Sequence, residues 1–133
     1  MGAWGIGGFE NDDALDWVAD LEADGVTAIR EAIDLTAADA YLDVDVGARV
    51  IAAAEVVAAA RDGDASTLPD DVREWLESNA GTITEDDAGA CVVAIQRVLR
   101  ESSELPELWK ESDDGAAWLE EVESLLARFA PRA

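Results

Sequence analysis

Apolar side chains recur at intervals of three and four residues along most of the chain, which is the spacing of amphipathic helices. The first periodic segment opens at Asn11 or Asp12 and ends at Asp24 and Gly25, where a glycine can stop a helix. Further segments predict helices over about 26–35 and 46–61, from 68 to 79, from 84 to 99, around 103–110, and from 113 to 129. The pattern therefore predicts a protein built from short helices.

The segment over about 46–61 differs from the others because it is apolar almost all round. Only Arg49, Glu55 and Arg61 are ionisable in a segment rich in alanine and valine. A helix without a polar face is stable when neighbouring elements cover every side of it. We therefore expect this helix to form the centre of a compact bundle.

Several helix starts carry sequence signals. Pro69 is expected at a first helical position, where its missing N–H costs nothing, and Thr84 is expected to cap the next helix. Two aspartates, three further residues, Trp and then Val or Leu occur in that order at 12–18, 70–76 and 113–119. We interpret this pattern as a helix start, in which the acids face the positive end of the helix dipole and Trp anchors the helix to the core.

The region 36–45 shows no clear period. Residues 42–46 alternate apolar and acidic side chains and are the only candidate strand, but without a partner strand they would not be stable. We interpret them as the entrance to the central helix. The sequence thus predicts an all-α single domain over 1–133. About five to seven short helices surround the central helix, and a glycine-rich N-terminal loop packs on it.

Four glycines fall within the first eight residues, directly before the first helix. Such a loop can cradle phosphate, but no strand precedes this one, no lysine follows it, and acids crowd the helix start. We instead expect the glycines to let the backbone lie close to the bundle, while Trp4 and Phe9 fill apolar gaps.

Acidic side chains dominate the charge, with 31 Asp and Glu against 9 Lys and Arg and a net charge of −22. Nucleic-acid binding and anionic membrane surfaces are disfavoured, because both require cationic side chains. Two explanations of the acidity stay open. One is a basic protein partner, and the other is adaptation to concentrated salt, which screens self-repulsion and would make the protein halophilic. Lys110 is the only lysine, which is typical of the second explanation.

The segment 50–60 is the longest strongly apolar stretch, and it is too short to span a bilayer. The N-terminus has neither the basic nor the apolar region of a signal peptide. We therefore expect a cytoplasmic protein that makes no contact with a membrane.

The residue inventory narrows the chemistry. The chain has no His, and its single Cys91 lies in an apolar run, so Ser-His-Asp and Cys-His mechanisms and zinc sites are not expected. The acids at 120–123 miss the Glu-Glu-x-x-Glu spacing of helical Mg²⁺-dependent nucleotide hydrolases. We expect no cofactor, and together these observations favour a protein that is not an enzyme.

Asp12, Asp16 and Asp20 stand four residues apart and line one stripe of the first helix, with Asp13 beside them. Like charges at this spacing destabilise a helix, so salt, a basic partner or a hard cation such as Mg²⁺ or Ca²⁺ would offset the repulsion. Three interpretations stay open: a solvated face, a partner site, or a metal site formed by Asp12, Asp16 and Asp20.

Glu55 is out of place inside an apolar helix, because a buried carboxylate is costly unless it is paired or hydrogen-bonded. We expect a structural tie to an Arg, to backbone N–H groups or to a Trp indole, with the glycine loop and Trp4 as the nearest targets. The alternative is a functional acid whose pKa is raised by burial.

The N-terminus reads MGAWGIGGFENDDALDW. This motif resembles the opening of an uncharacterised prokaryotic family, domain of unknown function 4259, with Ile6 where the family has Thr. The stretches at 53–59, 68–76 and 103–109 also resemble this family, so the resemblance spans most of the chain. The family carries no assigned activity, and the resemblance therefore implies no function.

These observations favour a non-enzymatic binding or interaction protein, of the kind that inhibitor and immunity proteins represent, with a basic partner. The alternative is a Mg²⁺-dependent enzyme that uses carboxylates of the first helix together with Glu55. The candidate binding or structural-motif residues are Trp4, Phe9, Asn11, Asp12, Asp13, Asp16, Trp17 and Glu55.

Overall fold

The computed structural model describes residues 5–37 and 40–130. Within these ranges the chain forms seven α-helices and no strand beyond one isolated bridge, which confirms the all-α prediction. The helices are α1 (Asp12–Asp24), α2 (Val26–Asp34), α3 (Val44–Asp62), α4 (Asp70–Asn79), α5 (Glu85–Leu99), α6 (Glu104–Lys110) and α7 (Gly115–Ala127). Short 3-10 turns, Leu35–Ala37 and Ala80–Thr82, follow α2 and α4.

Helix α3 forms the centre of the bundle, as its all-round apolar sequence predicts. It contacts each of the other six helices, and every residue from Val50 to Ala59 is buried. Its many alanines leave little side-chain volume, so neighbouring helices can approach its axis closely. Cys91 of α5 is also buried, and burial raises the pKa of its thiol to about 12. This placement fits the expected core role of Cys91.

The entrance to α3 explains why the helix begins at Val44, two residues before the predicted start. The Glu104 carboxylate accepts a hydrogen bond from the Val44 amide (2.8 Å), so an acid from α6 caps the free N–H group. Leu42 forms an isolated parallel bridge with Ser103. The Leu42 amide donates to the Ser102 carbonyl (2.9 Å), and the Glu104 amide donates to the Leu42 carbonyl (2.8 Å). The alternating stretch is therefore a helix entrance held by the loop before α6.

Two further predicted helix starts are wrong by one or two residues. Pro69 is the N-cap of α4 and not its first helical residue, because its ψ of 156° is extended and the helix begins at Asp70. Helix α7 begins at Gly115 and not at Asp113, because the Gly115 amide donates to the Ser112 carbonyl and closes a turn before the helix. The repeated aspartates thus lie inside the first turn of α1 and α4 but before α7.

The start of α5 is fixed by a buried carboxylate with four donors. Thr84 and Asp87 form a reciprocal capping box, in which the Asp87 carboxylate accepts from the Thr84 amide (2.9 Å) and hydroxyl (3.2 Å). The same carboxylate accepts from Arg30 Nε (2.9 Å) and Nη2 (3.1 Å) of α2. The hydrogen bonds from Arg30 lower the pKa of Asp87 despite the opposing effect of burial.

We expect Asp87→Asn to lower the free energy of unfolding by about 1–3 kcal/mol at neutral pH, because it removes the charge that binds Arg30 and leaves one acceptor oxygen where four donors converge. Asp71→Asn is the matched control, since Asp71 is an exposed acid in the first turn of α4. Because the folded-state pKa of Asp87 is depressed, its stabilisation is present above the unfolded pKa and is lost as the pH falls through the folded value. Urea titrations at several pH values measure both effects, and equal costs for the two variants would contradict this role.

No helix in the described ranges combines the length and the apolar character needed to cross a membrane.

Candidate functional site

The glycine loop, residues 5–10, lies across α3 and leads into α1. The Glu10 amide donates to the Gly7 carbonyl (3.0 Å), and the Gly7 amide donates to Glu10 Oε1 (3.1 Å), so the loop closes on itself. Phe9 is buried in the core, as expected for a side chain that fills an apolar gap. Trp4, the other residue expected in this role, lies outside the described residues.

Asn11 joins the glycine loop to α1. As N-cap, its side-chain Oδ1 accepts from the Ala14 amide (2.8 Å), and its Nδ2 donates to the Gly8 carbonyl (3.2 Å). One amide therefore satisfies an orphan N–H of the helix and a carbonyl of the loop. The sequence predicted the helix start at Asn11 or Asp12, but it gave no sign of the bond to Gly8.

Glu55 lies beneath the loop, with only 6 % of its surface exposed. A Cβ built on Gly8 would lie 2.7 Å from Glu55 Oε2, so the carboxyl would have to shift to admit any residue other than glycine. Oε2 is buried and has no hydrogen-bond partner among the described residues. The expected contact with the glycine loop is present, whereas within the described ranges the expected hydrogen-bonded tie is not.

The environment of Glu55 favours its protonated form. Burial raises the pKa of Glu55 from 4.5 to about 7, and the charges of Glu121 and Glu10 act in the same direction. Arg128 opposes the shift, but its guanidinium is bound to Asp62 through bonds of 2.8 Å and 2.9 Å. A carboxyl that is uncharged below neutrality can therefore sit under the loop without a counter-ion.

A small cavity of about 30 Å³ lies next to Gly8 and Ile51, the residues that contact Glu55. It is enclosed by the glycine loop and helices α1, α3, α6 and α7. Its wall includes the stacked rings of Trp109 and Trp118, whose centroids are 5.8 Å apart with an interplanar angle of 6°. Asn11 and Asp13 supply its polar edge. The volume suits about one or two water molecules and is far below the several hundred Å³ of a typical ligand pocket.

Asp13 is the one acid of the α1 start that turns toward this cavity. Its half-buried carboxyl has a raised pKa, chiefly because of burial and then because of the nearby Asp45 charge, with Arg49 acting in the opposite direction. Arg49 in turn lies 4.0 Å from Asp45. Asp13 is therefore the only candidate acid of α1 that shares a wall with Gly8, the residue that covers Glu55.

The outward side of α1 forms a different surface, which we call the α1 face: Asp12, Leu15, Asp16 and Asp20. All four side chains are exposed, and Leu15 keeps 40 % of its surface in solvent. The described part of the chain places no cation within ion-pair distance of the three aspartates, because its five ion pairs use other acids. Trp17 and Leu21, on the opposite side of α1, are buried and hold the helix in place.

A family model, described as a domain of unknown function (DUF4259), matches residues 2–121. The chain belongs to this family. No curated protein and no solved structure matches the chain. In this DUF4259 member the matched segment includes the glycine loop, α1, Glu55 and both tryptophans of the stack.

The candidate carboxylates of this DUF4259 protein do not converge on one point. Asp12 and Asp16 face solvent, Asp13 faces the small cavity, and Glu55 is buried under Gly8. Within the described ranges no three Asp, Glu, Cys or His side chains are grouped so that they could hold a metal ion. The stripe of Asp12, Asp16 and Asp20 extends along one helix and does not surround a common centre.

Three structural contacts escaped sequence reasoning. Glu104 caps α3, Asp87 binds Arg30, and Trp109 stacks on Trp118. The sequence signals nearest to them were the Thr84 capping pattern, three residues before Asp87, and the repeated pattern that ends in Trp118. Asp13 could have been recognised as inward-facing, because it precedes the buried Trp17 by four residues and thus shares its side of α1.

Proposed function

We propose that this protein is a non-enzymatic binding protein whose α1 face engages a basic protein surface. The observation that supports this most is the stripe of Asp12, Asp16 and Asp20, three exposed acids without ion pairs in the described chain, with the exposed Leu15 on one flank of it. An acidic stripe flanked by an exposed apolar side chain suits a partner that offers a row of cations beside an apolar pocket. The Asn11 cap and the buried Trp17 hold this face rigid before binding.

The test uses a synthetic helical peptide that carries Arg at three positions four residues apart, with Leu between them. We expect neutralisation of Asp12, Asp16 and Asp20 to Asn to weaken binding about tenfold at near-physiological salt. Neutralising Asp71, Glu74 and Glu77, three exposed acids of α4, removes the same charge elsewhere and is the matched control. Isothermal titration calorimetry measures both.

A charge-conserving change separates the anchor from the electrostatics. Leu15→Ser should weaken peptide binding while leaving the salt dependence unchanged, because it removes apolar contact and no charge. If the α1 and α4 triple variants lose affinity equally, the attraction belongs to the overall charge of −22 and the proposed surface is wrong.

We also propose that the excess of acids adapts the protein to concentrated salt. Screening shortens the range of charge repulsion to about 3 Å at about 1 M salt, so self-repulsion should fall steeply. The free energy of unfolding should therefore be larger in about 2 M KCl than in about 0.1 M KCl. Urea titrations at the two concentrations measure the difference, and a midpoint that stays constant or falls would contradict this adaptation.

A further inference from the structure

Helix α5 presents an outward face that no other element of the described chain covers. Val93, at its centre, exposes 65 % of its surface, more than any other exposed large hydrophobic side chain in the described ranges. The run from Ala88 to Arg100 contains no Asp or Glu, although acids make up 31 of the 133 residues. A second negatively charged molecule could therefore approach this stretch of α5 without meeting an acid of the stretch itself, although Asp34 at the end of α2 lines the groove beside it.

Gly89 lies on the same face, and no contact within the described chain explains why this position is a glycine. A glycine in the interior of a helix is destabilising relative to alanine because it adds backbone freedom to the unfolded chain. No neighbouring atom of the described chain lies within 4 Å of the position that its Cβ would occupy. Its lack of a side chain does, however, allow another helix to approach the α5 backbone closely.

The charges at the two ends of this face are arranged symmetrically about Val93. Asp86 stands seven residues before Val93 and Arg100 stands seven residues after it. At 3.6 residues per turn, both positions lie within about 20° of Val93 around the helix axis. Both residues are exposed, and neither belongs to an ion pair of the described chain.

We propose that two copies of this chain form a dimer in which their α5 helices pack antiparallel about a twofold axis at Val93. The axis places Val93 against the partner's Val93, and Asp86 opposite the partner's Arg100, twice by symmetry. A surface of this kind is self-complementary, which is what a closed twofold interface requires. The antiparallel arrangement also aligns the two helix dipoles favourably.

The surroundings of α5 leave room for the second helix. A groove of about 600 Å³ runs between α5 and the 3-10 turn Leu35–Ala37, with Ile33, Ala90 and Val93 on its walls. Side chains of the second copy can enter this groove as its helix approaches. The partner is a second copy because each end of the face carries the charge that the opposite end needs.

Sedimentation equilibrium of the full chain, from micromolar to millimolar concentration, tests the dimer. The molar mass should rise from 14.1 kDa toward twice that value. Association should be stronger in about 2 M than in about 0.1 M KCl, because salt screens the repulsion between two subunits of charge −22. Binding of a basic partner should show the opposite salt dependence, so this result is separate from the function proposed above. A monomer under all these conditions overturns the proposal.

Charge exchange tests the geometry. Asp86→Arg alone and Arg100→Asp alone should each weaken self-association about tenfold, because each places like charges opposite one another twice. An equimolar mixture of the two variants should restore association, since every facing pair in the mixed dimer is again of opposite sign. Failure of the mixture to associate would exclude the antiparallel register.

Val93→Glu tests the centre of the interface, because it places two carboxylates on the twofold axis. We expect it to abolish the dimer, while circular dichroism shows unchanged helix content because Val93 is exposed in the monomer. Leu119→Glu, on an exposed position of α7, is the matched control and should dimerise as the wild type does. A dimer that persists in the Val93→Glu variant would place the interface elsewhere.

Discussion

Glu55→Gln is expected to stabilise the protein by about 3 kcal/mol above neutral pH and to have little effect at pH values below about 4. Glutamine resembles the protonated acid in shape and cannot ionise. The variant therefore retains the packing of Glu55 under Gly8 and removes only the cost of ionising a buried carboxyl.

The direction follows from proton binding in the two states. The pKa of Glu55 is about 7 in the folded protein against 4.5 as the ordinary value, so between these values the folded state holds a proton that the unfolded chain releases. Stability of the wild type relative to the Gln variant therefore falls as the pH rises through this window and levels off above it. At about 1.4 kcal/mol per pKa unit, the total is about 3 kcal/mol.

Urea titrations of both proteins across this pH range measure the difference between their free energies of unfolding. Taking the difference cancels the contribution of the other carboxylates, because both proteins contain them. Glu74→Gln is the control, because Glu74 is exposed on α4 and its removal reports only the loss of one surface charge. A difference between the wild type and Glu55→Gln that is independent of pH would show that Glu55 has the same pKa in the folded and the unfolded protein.

Gly8→Ala is expected to destabilise the protein by about 1–3 kcal/mol through overpacking. The new Cβ would lie 2.7 Å from Glu55 Oε2, 2.9 Å from its Cδ and 3.1 Å from Ile51 Cγ2. These atoms belong to side chains of the buried central helix, so the Glu55 carboxyl has to give up its present position to admit the new methyl group. Chemical denaturation monitored by tryptophan fluorescence measures the cost.

A double-mutant cycle assigns the cost to the proposed contact. In a Glu55→Ala background the carboxyl is absent, so Gly8→Ala should cost less than half of what it costs in the wild type. Gly81→Ala serves as the control, because no neighbouring atom of residues 5–37 and 40–130 lies within 4 Å of its Cβ position, and it should change stability by no more than about 0.5 kcal/mol. Equal costs of Gly8→Ala in both backgrounds would mean that the loop does not rest on Glu55.

Local periodicity was sufficient to predict the architecture. The apolar circumference of α3 placed it at the centre, and the structure buries every residue from Val50 to Ala59. Its first residue could not be predicted, because the group that caps Val44 is the Glu104 carboxylate, sixty positions away in sequence. The start of α7 was missed for a local reason, since Asp113 and Asp114 form a turn that also suits a first helical turn.

The sequence singled out candidate residues but did not show how the fold combines them. It marked Glu55 as out of place, yet an apolar helix sequence does not reveal which neighbour covers each position. The structure supplies that neighbour, Gly8, and within the described ranges it supplies no donor for Oε2. Helical spacing grouped Asp12 with Asp16 and Asp20 correctly, whereas the inward orientation of Asp13 depends on where α3 and its Arg49 lie.

The most direct test of the central claim, that an uncharged Glu55 supports the glycine loop, is the pKa of this one side chain in the folded protein. Heteronuclear NMR of the Glu55 side-chain carboxyl carbon, assigned by comparison with Glu55→Gln, follows its titration in the presence of the other acids. A midpoint near 7, well above the ordinary value of 4.5, is the predicted result. A midpoint at or below 4.5 would show that the carboxylate is stabilised by a partner and would contradict the claim.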